Sequence, residues 1–225
     1  MSSRKSESVT YVSVDIEADG RVPGLSSMLS FGAAAFTERS QFFAGFTRNL
    51  ETLPEAKPEN DTMEFWAKNP DAWNEARKNL VNPERAIQDF VEWVDSIRTG
   101  TRAVFIGYPA SYDFKWIDYY CVRFAGRNPF GFSGCIDIKT LAWSVLGGNF
   151  SHVSKKKFPA EWKSKAVHSH IAIDDAIEQG ELFFRILATR DKTYANSGVV
   201  QSGVVQKACS GPAESRETKT PSSGP

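Results

Sequence analysis

Cysteine is scarce in this chain of 225 residues: there are three, Cys121, Cys135 and Cys209, and none has the paired spacing of a metal-ligand motif. An odd, unpaired set of thiols argues against a disulfide framework and against a zinc site, and suits a reducing compartment. Net charge is lacking too. The 27 basic residues balance the 27 acidic ones, so no global field draws the chain to long polyanions and any nucleic-acid binding must be local. No apolar run is long enough to cross a bilayer, which excludes a membrane partner, and the opening MSSRKSESVT carries no apolar leader. The expected location is therefore the cytoplasm. No internal repeat is visible.

What is present suits one substantial core, since 41% of the residues are hydrophobic and the length is that of a single domain with some extra chain. Residues Val9 to Glu17 alternate, with Val12, Val14 and Ile16 on one side and Ser13, Asp15 and Glu17 on the other. MLSFGAAAF and QFFAGFT, parted by the polar TERS, read as a hairpin that completes an antiparallel meander of three strands. Helical spacing follows in DTMEFWAKNPDAWNEARKN, broken at Asn69 and Pro70, and in NPERAIQDFVEWVDSIRTG, where Asn82 is a cap and Pro83 the first helical residue. RAVFIGYP reads as a buried strand, SYDFKWIDYYCVRFAG as a helix, GCIDIKTLAWSVLGG as a short strand entering a helix, and Ile173 to Thr189 as a last amphipathic helix. The order is βββαβαβα, an α/β fold whose late strands, joined by helical crossovers, are expected to be parallel. Residues 1–8 and 191–225 read as disordered ends around a domain at 9–190.

Asp15 and Glu17 point the same way from one strand, although carboxylates are depleted in strands and repel each other. Taken alone they could be a surface pair on an edge strand. Asp113 lies just past a buried strand at a helix start, and so does Asp175 in HSHIAIDDAIEQG, five residues after His170. Each could be a helix-start acid favoured by the helix dipole, but their coincidence with His170 would then be unexplained. Gathered in one pocket, the four acids would repel one another and take up protons unless divalent cations relieved them. Oxygen ligands in this number suit Mg²⁺ or Mn²⁺, and two such ions about 4 Å apart serve in-line displacement at a phosphodiester. A histidine beside them, with an ordinary pKa of about 6.5, suits proton removal from water near neutral pH.

DIE (Asp15 to Glu17), GYPASYD ending in Asp113, and HIAIDDA with His170 and Asp175 resemble the three motifs of the DEDDh branch of the DnaQ-like, or RNase T-like, 3′–5′ exonucleases. The match spans Tyr11 to Leu187. The HxxxxD spacing selects His170 with Asp175, because His168 would need an acid at position 173, which is Ile. The resemblance implies a ribonuclease H-like fold with a mixed sheet of three antiparallel and two parallel strands. It implies a cofactor of two Mg²⁺ or Mn²⁺ ions and release of nucleoside 5′-monophosphates from single-stranded 3′ ends of RNA or DNA. By motif, Asp15 bridges both metals, Glu17 and Asp175 complete the inner site, Asp113 holds the second metal partly through water, and His170 is the general base. The chain departs from the family in continuing EADGRVPGLSS where many members have Thr after the glutamate, and in lacking the Asn common before the second motif. Many relatives dimerise, so a homodimer is a further expectation.

Two other readings stand beside this one: a proofreading or repair DNA exonuclease serving as one subunit of a larger machine, and a nuclease-fold module that only grips 3′ ends. The segment SHVSKKKFPAEWKSKAVHSH sets Lys155, Lys156, Lys157, Lys163 and Lys165 against Glu161 alone, and it leads to His170. Such a run is either a solvated loop or a phosphate contact. Trp66, Trp73, Trp93, Trp116 and Trp143 fall at helical spacings and read as core, with Phe31 or Trp66 as candidates to reach the cleft and contact nucleic acid. His152 and His168 read as surface-loop residues.

Overall fold

The computed structural model describes residues 8–98, 102–164 and 170–196. Strands β1 (Val9–Ala18), β2 (Met28–Phe36) and β3 (Phe42–Asn49) form the antiparallel meander. Three helices follow, α1 (Asn60–Lys68), α2 (Pro70–Ala76) and α3 (Pro83–Ile97), then β4 (Arg102–Gly107), α4 (Ala110–Ala125), β5 (Cys135–Asp137), α5 (Ile138–Leu146) and, after three short 3₁₀ turns, α6 (Ala172–Asn196). The sheet order is β3-β2-β1-β4-β5, with β4 parallel to β1 and β5 parallel to β4. This is the mixed five-stranded sheet flanked by helices that the motifs imply.

Local chemistry accounts for the element ends. Pro70 separates α1 from α2, because it has no N–H to continue the helix. Asn82 caps α3 by accepting a hydrogen bond from the Glu84 N–H at 3.0 Å. Asp137, the last residue of β5, accepts from the Ala110 N–H at 2.8 Å through one carboxylate oxygen and from the Thr140 N–H at 2.6 Å through the other. One side chain thus ties together the starts of α4 and α5.

The sheet is covered on both faces, which explains why β2 is buried along its whole length. Val12, Val14, Ile16 and Phe31 face the larger core under α3 and α4, with Phe90, Trp116 and Tyr120. On the other face Tyr11 packs against Phe183 and Phe184 of α6. Helix α6 comes very close to the sheet here. A Cβ on Gly32 would lie 2.3 Å from the Ile173 nitrogen and 2.4 Å from the Ala172 carbonyl carbon. Ala172 and Ala176 are buried, the latter beside Ala34.

Some expectations need correction. Phe31 is fully buried between Phe46 and Phe90, so it belongs to the core and cannot stack on a base. Trp66 and Trp116 are core and Trp73 and Trp93 pack half-buried, but Trp143 is exposed, edge-on to Phe150, on the outer side of α5. Helix α6 continues past residue 191 to Asn196, where Thr193 Oγ1 donates to the Thr189 carbonyl at 3.0 Å. His152 is exposed, while Lys165, His168, Cys209 and the expected disordered ends at 1–7 and 197–225 lie outside the described residues.

The approach at Gly32 yields a prediction. Gly32→Ala must push α6 away from β2, with a loss of about 1–3 kcal/mol typical of overpacking, whereas Gly45→Ala meets the side-chain tips of Ile173 at 3.4 Å and Phe42 at 3.5 Å and should be tolerated. Chemical denaturation of both variants checks this, and equal stability would show that α6 seats differently.

Candidate active site

The end of β1 carries Asp15 and Glu17 on the face that α6 covers. In the β1–β2 ladder they lie opposite Gly32 and Ser30, and a register shift follows at once between Glu17 and Ala18. The missing side chain at Gly32 lets the start of α6 descend onto the strand, which brings Asp175 and His170 to the same place. One ligand atom each from Glu17, His170 and Asp175 lies within 4.8 Å of the others. His170 enters the helix with φ 53°, a left-handed conformation uncommon for a residue with a side chain.

Asp113 arrives from the opposite face, in the first turn of α4, and is almost wholly buried. Its Oδ1 accepts from the Ile16 N–H at 3.3 Å, which fixes it between the two β1 acids. Asp15 is held from α6, where the Gln179 amide nitrogen donates to its Oδ1 at 3.2 Å. The structure therefore assembles all five motif residues expected from the sequence.

Electrostatics record the crowding. Burial, and then the nearby charges of Asp113, Glu17 and Asp175, hold Asp15 well above the usual carboxylate range. Glu17 is pushed up to about 8 by burial and by Asp175 and Asp113. Burial raises Asp113 to about 7, although its backbone hydrogen bonds favour the charged form. A site that drives its own acids toward protonation has more ligand oxygen than positive charge, and such a donor set fits divalent cations.

Lys155 is the leading positive charge acting on Asp15 and Asp113. Its ammonium is bonded to Glu178 at 2.7 Å, three residues along α6 from Asp175, and lies 5.5 Å from the centre of the Tyr108 ring. A pocket of about 300 Å³ adjoins it, lined by Lys156, Lys163, Ser164 and Leu182 among others. Of the expected basic contacts, Lys155, Lys156 and Lys163 thus share a pocket beside the site, whereas Lys157 is exposed and lines a separate hollow near Asn149. A larger groove of about 450 Å³ runs from Ser30 and Ile171 along the β3 side to Asn79. Within it Lys78 pairs with Glu75 at 2.5 Å, while Arg48 reaches Asp89, outside the lining, at 3.4 Å.

Three residues of the site escaped the sequence reading. Phe65 stands edge-on to the His170 ring at 5.3 Å and is 39% exposed, while its neighbour Trp66 is buried with its indole N–H on the Ala18 carbonyl at 3.0 Å. An aromatic beside a core tryptophan, on the polar side of an amphipathic helix, was the available signal. Gln179 and Glu178 gave none beyond their helical offsets from Asp175. Asp19, which had no expected role, closes the 18–27 turn by accepting from the Ser27 N–H at 2.6 Å.

A sheet ordered β3-β2-β1-β4-β5, with acids gathered at the end of its central strand, defines a nuclease of the ribonuclease H-like fold and the DnaQ-like class. The chain belongs to the Rv2179c-like 3′–5′ exoribonuclease domain family, whose model matches residues 10–187, and membership makes it a 3′–5′ exonuclease. It is 31% identical over 175 residues to the 3′–5′ DNA exonuclease Cap18 of Escherichia coli, a match that covers 77% of this chain and 89% of that one. Among solved structures it is similar to the nuclease domain of 3′hExo, a DEDDh family member bound to rAMP, with TM-score 0.58, 10% identity, and 83% of this chain and 94% of that one covered. It is also similar to exonuclease I of E. coli in complex with single-stranded DNA, with TM-score 0.56, 16% identity and 84% of this chain covered. The chain spans 42% of exonuclease I, and at these identities the likeness speaks for the fold alone. No helix among the described residues is long and apolar enough to cross a membrane.

The raised acids make the metal-free protein pH-sensitive. Glu17 and Asp113 hold protons in the folded chain up to about 8 and about 7, but in the unfolded chain only up to their ordinary values of 4.5 and 3.8. The folded state therefore binds more protons across that window, and its stability falls as pH rises through it. In EDTA, Glu17→Gln should gain stability over the parent as pH goes from about 5 to about 8.5. Melting curves at both pH values test this, and an unchanged difference would mean that Glu17 is not strained by its neighbours.

Proposed function

We propose that the chain removes nucleoside 5′-monophosphates one at a time from single-stranded 3′ ends of RNA or DNA, at a site where Asp15, Glu17, Asp113 and Asp175 hold two divalent cations and His170 is the general base. The observation that carries this reading is the convergence of Glu17, His170 and Asp175 within 4.8 Å, beside two further acids displaced toward protonation. When bound, a pair of Mg²⁺ or Mn²⁺ ions supplies positive charge to both the attacking and the leaving oxygen of an in-line displacement.

The chain's own residues do the rest. Asp15 feels the charges of all three other acids and would hold the cations together with them. Glu17 and Asp175 flank His170, and Asp113 closes the site from α4. His170 takes the proton of the attacking water as the new bond to phosphorus forms. The bond from phosphorus to the 3′ oxygen of the penultimate sugar then breaks, and that oxygen takes up a proton to become the new 3′ hydroxyl. Lys156 and Lys163, which line one pocket, would hold phosphates of the remaining strand. The complete set of acids and base argues against a module that only grips ends, because binding alone requires no base. The relatives' names divide between an exoribonuclease domain and a DNA exonuclease. The proposal covers both sugars, and matched RNA and DNA oligonucleotides decide between them.

An oligonucleotide labelled at its 5′ end should shorten as a ladder with Mg²⁺ or Mn²⁺ and stay intact in EDTA. Changing both Lys156 and Lys163 to Gln should raise KM and flatten the salt dependence. Early internal fragments, or full activity in EDTA, would sink the reading. His170→Ala should lower turnover by about 10²- to 10⁴-fold, the usual contribution of a general base, with the Mn²⁺-induced rise in melting temperature kept. Normal turnover by that variant would remove His170 from the mechanism.

A further inference from the structure

Gln179 is 1% exposed, one helical turn beyond Asp175 on α6. Its amide nitrogen donates to the Val14 carbonyl at 3.3 Å and to Asp15 Oδ1 at 3.2 Å. Both partners are acceptors, so the amide must turn its nitrogen to β1, and both N–H bonds are used. The amide oxygen, also buried, has no hydrogen-bond partner among the described residues. Burying an acceptor without a partner is costly, and an apolar side chain of the same size would fill this place between β1 and α6 more cheaply. The amide is therefore poorly explained by stability alone.

We infer that Gln179 is the positioning residue of Asp15: it anchors one carboxylate oxygen to α6 and thereby fixes the direction in which the other is offered to the cations. The inference rests on the metal reading given above. A carboxylate on a strand end has two soft torsions, and a bridging ligand tolerates little error in either. Donation from Gln179 removes that freedom and compensates part of the negative charge without adding a cation that would compete with the metal. The same amide clasps the Val14 carbonyl, so the strand that bears Asp15 and the helix that bears Asp175 are held in a fixed relation. The group acts through Asp15 and does not touch substrate. Outer partners of this type typically contribute about 10- to 100-fold to metal affinity.

The test compares the parent protein with Gln179→Met, which keeps the length and shape of the side chain and removes the donor, and with Gln179→Leu as a second apolar replacement. Melting temperature is followed as Mn²⁺ alone is added, and oligonucleotide digestion is followed over the same Mn²⁺ range. The half-saturating Mn²⁺ concentration should rise about 10- to 100-fold in both assays. At saturating Mn²⁺, KM for the oligonucleotide should be that of the parent, and any metal-free loss of melting temperature from unpairing the Val14 carbonyl should come with the raised half-saturating concentration. A role in packing alone would instead lower the metal-free melting temperature and leave the half-saturating concentration where it was, and that result overturns the inference. If the parent itself shows no stabilisation by Mn²⁺, the metal reading fails first; if the parent responds and the variants respond identically, only the role of Gln179 fails.

Discussion

Helix α6 lies on the sheet at a distance that no side chain at position 32 would permit, and the site exists because of that contact. Asp15 and Glu17 are fixed by the strand, but Asp175 and His170 reach them only if the helix start descends onto β2. Small residues on both partners make this descent possible, Gly32 and Ala34 on the strand and Ala172 and Ala176 on the helix. Farther along, Phe183 and Phe184 restore a full aromatic contact with Tyr11. The helix is thus held by large residues at one end so that its other end can come close through small ones.

Close approach concentrates negative charge where little solvent remains to screen it. Asp15, Glu17 and Asp113 are all displaced toward their neutral forms, with burial as the largest cause in each. Lys155 opposes this, but its charge is shared with Glu178. The protein therefore offsets the crowding only in part. A lysine aimed fully at the acids would stabilise the empty site and then compete with any divalent cation for the same oxygens. Partial compensation leaves the acids available while limiting their repulsion.

Much of this was legible in the sequence because it depends on local chemistry. Alternation in β1 placed Asp15 and Glu17 on one face, Pro70 marked the break between α1 and α2, Asn82 and Pro83 marked the start of α3, and the HxxxxD spacing separated His170 from His168. The remainder depends on contacts between distant parts of the chain. Phe31 looked free to reach a cleft because strand alternation says which face a residue takes, but not that both faces are covered. Phe65 and Trp66 are adjacent, and only the packing of α1 against Ala18 decides that the tryptophan goes inside. The link from Lys155 to Glu178 spans 23 residues and that from Gln179 to Asp15 spans 164, beyond any motif window.

Zero net charge places a further constraint on how such a site is used. A chain without a broad positive field gains little from long-range attraction to a polyanion, so affinity must come from short-range contacts. In the larger groove Lys78 is paired with Glu75, and the lysine pocket includes Lys155, whose charge acts on Asp15. Lys155, Lys156 and Lys163 thus offer positive charge to a phosphate beside the proposed cleavage point. On the proposed reading, a strand is gripped chiefly at its last nucleotides, and long and short substrates should differ little in what they offer the protein. Recognition and chemistry then draw on the same small region, and the helix contact at Gly32 that builds the acid cluster also sets where the strand end must lie.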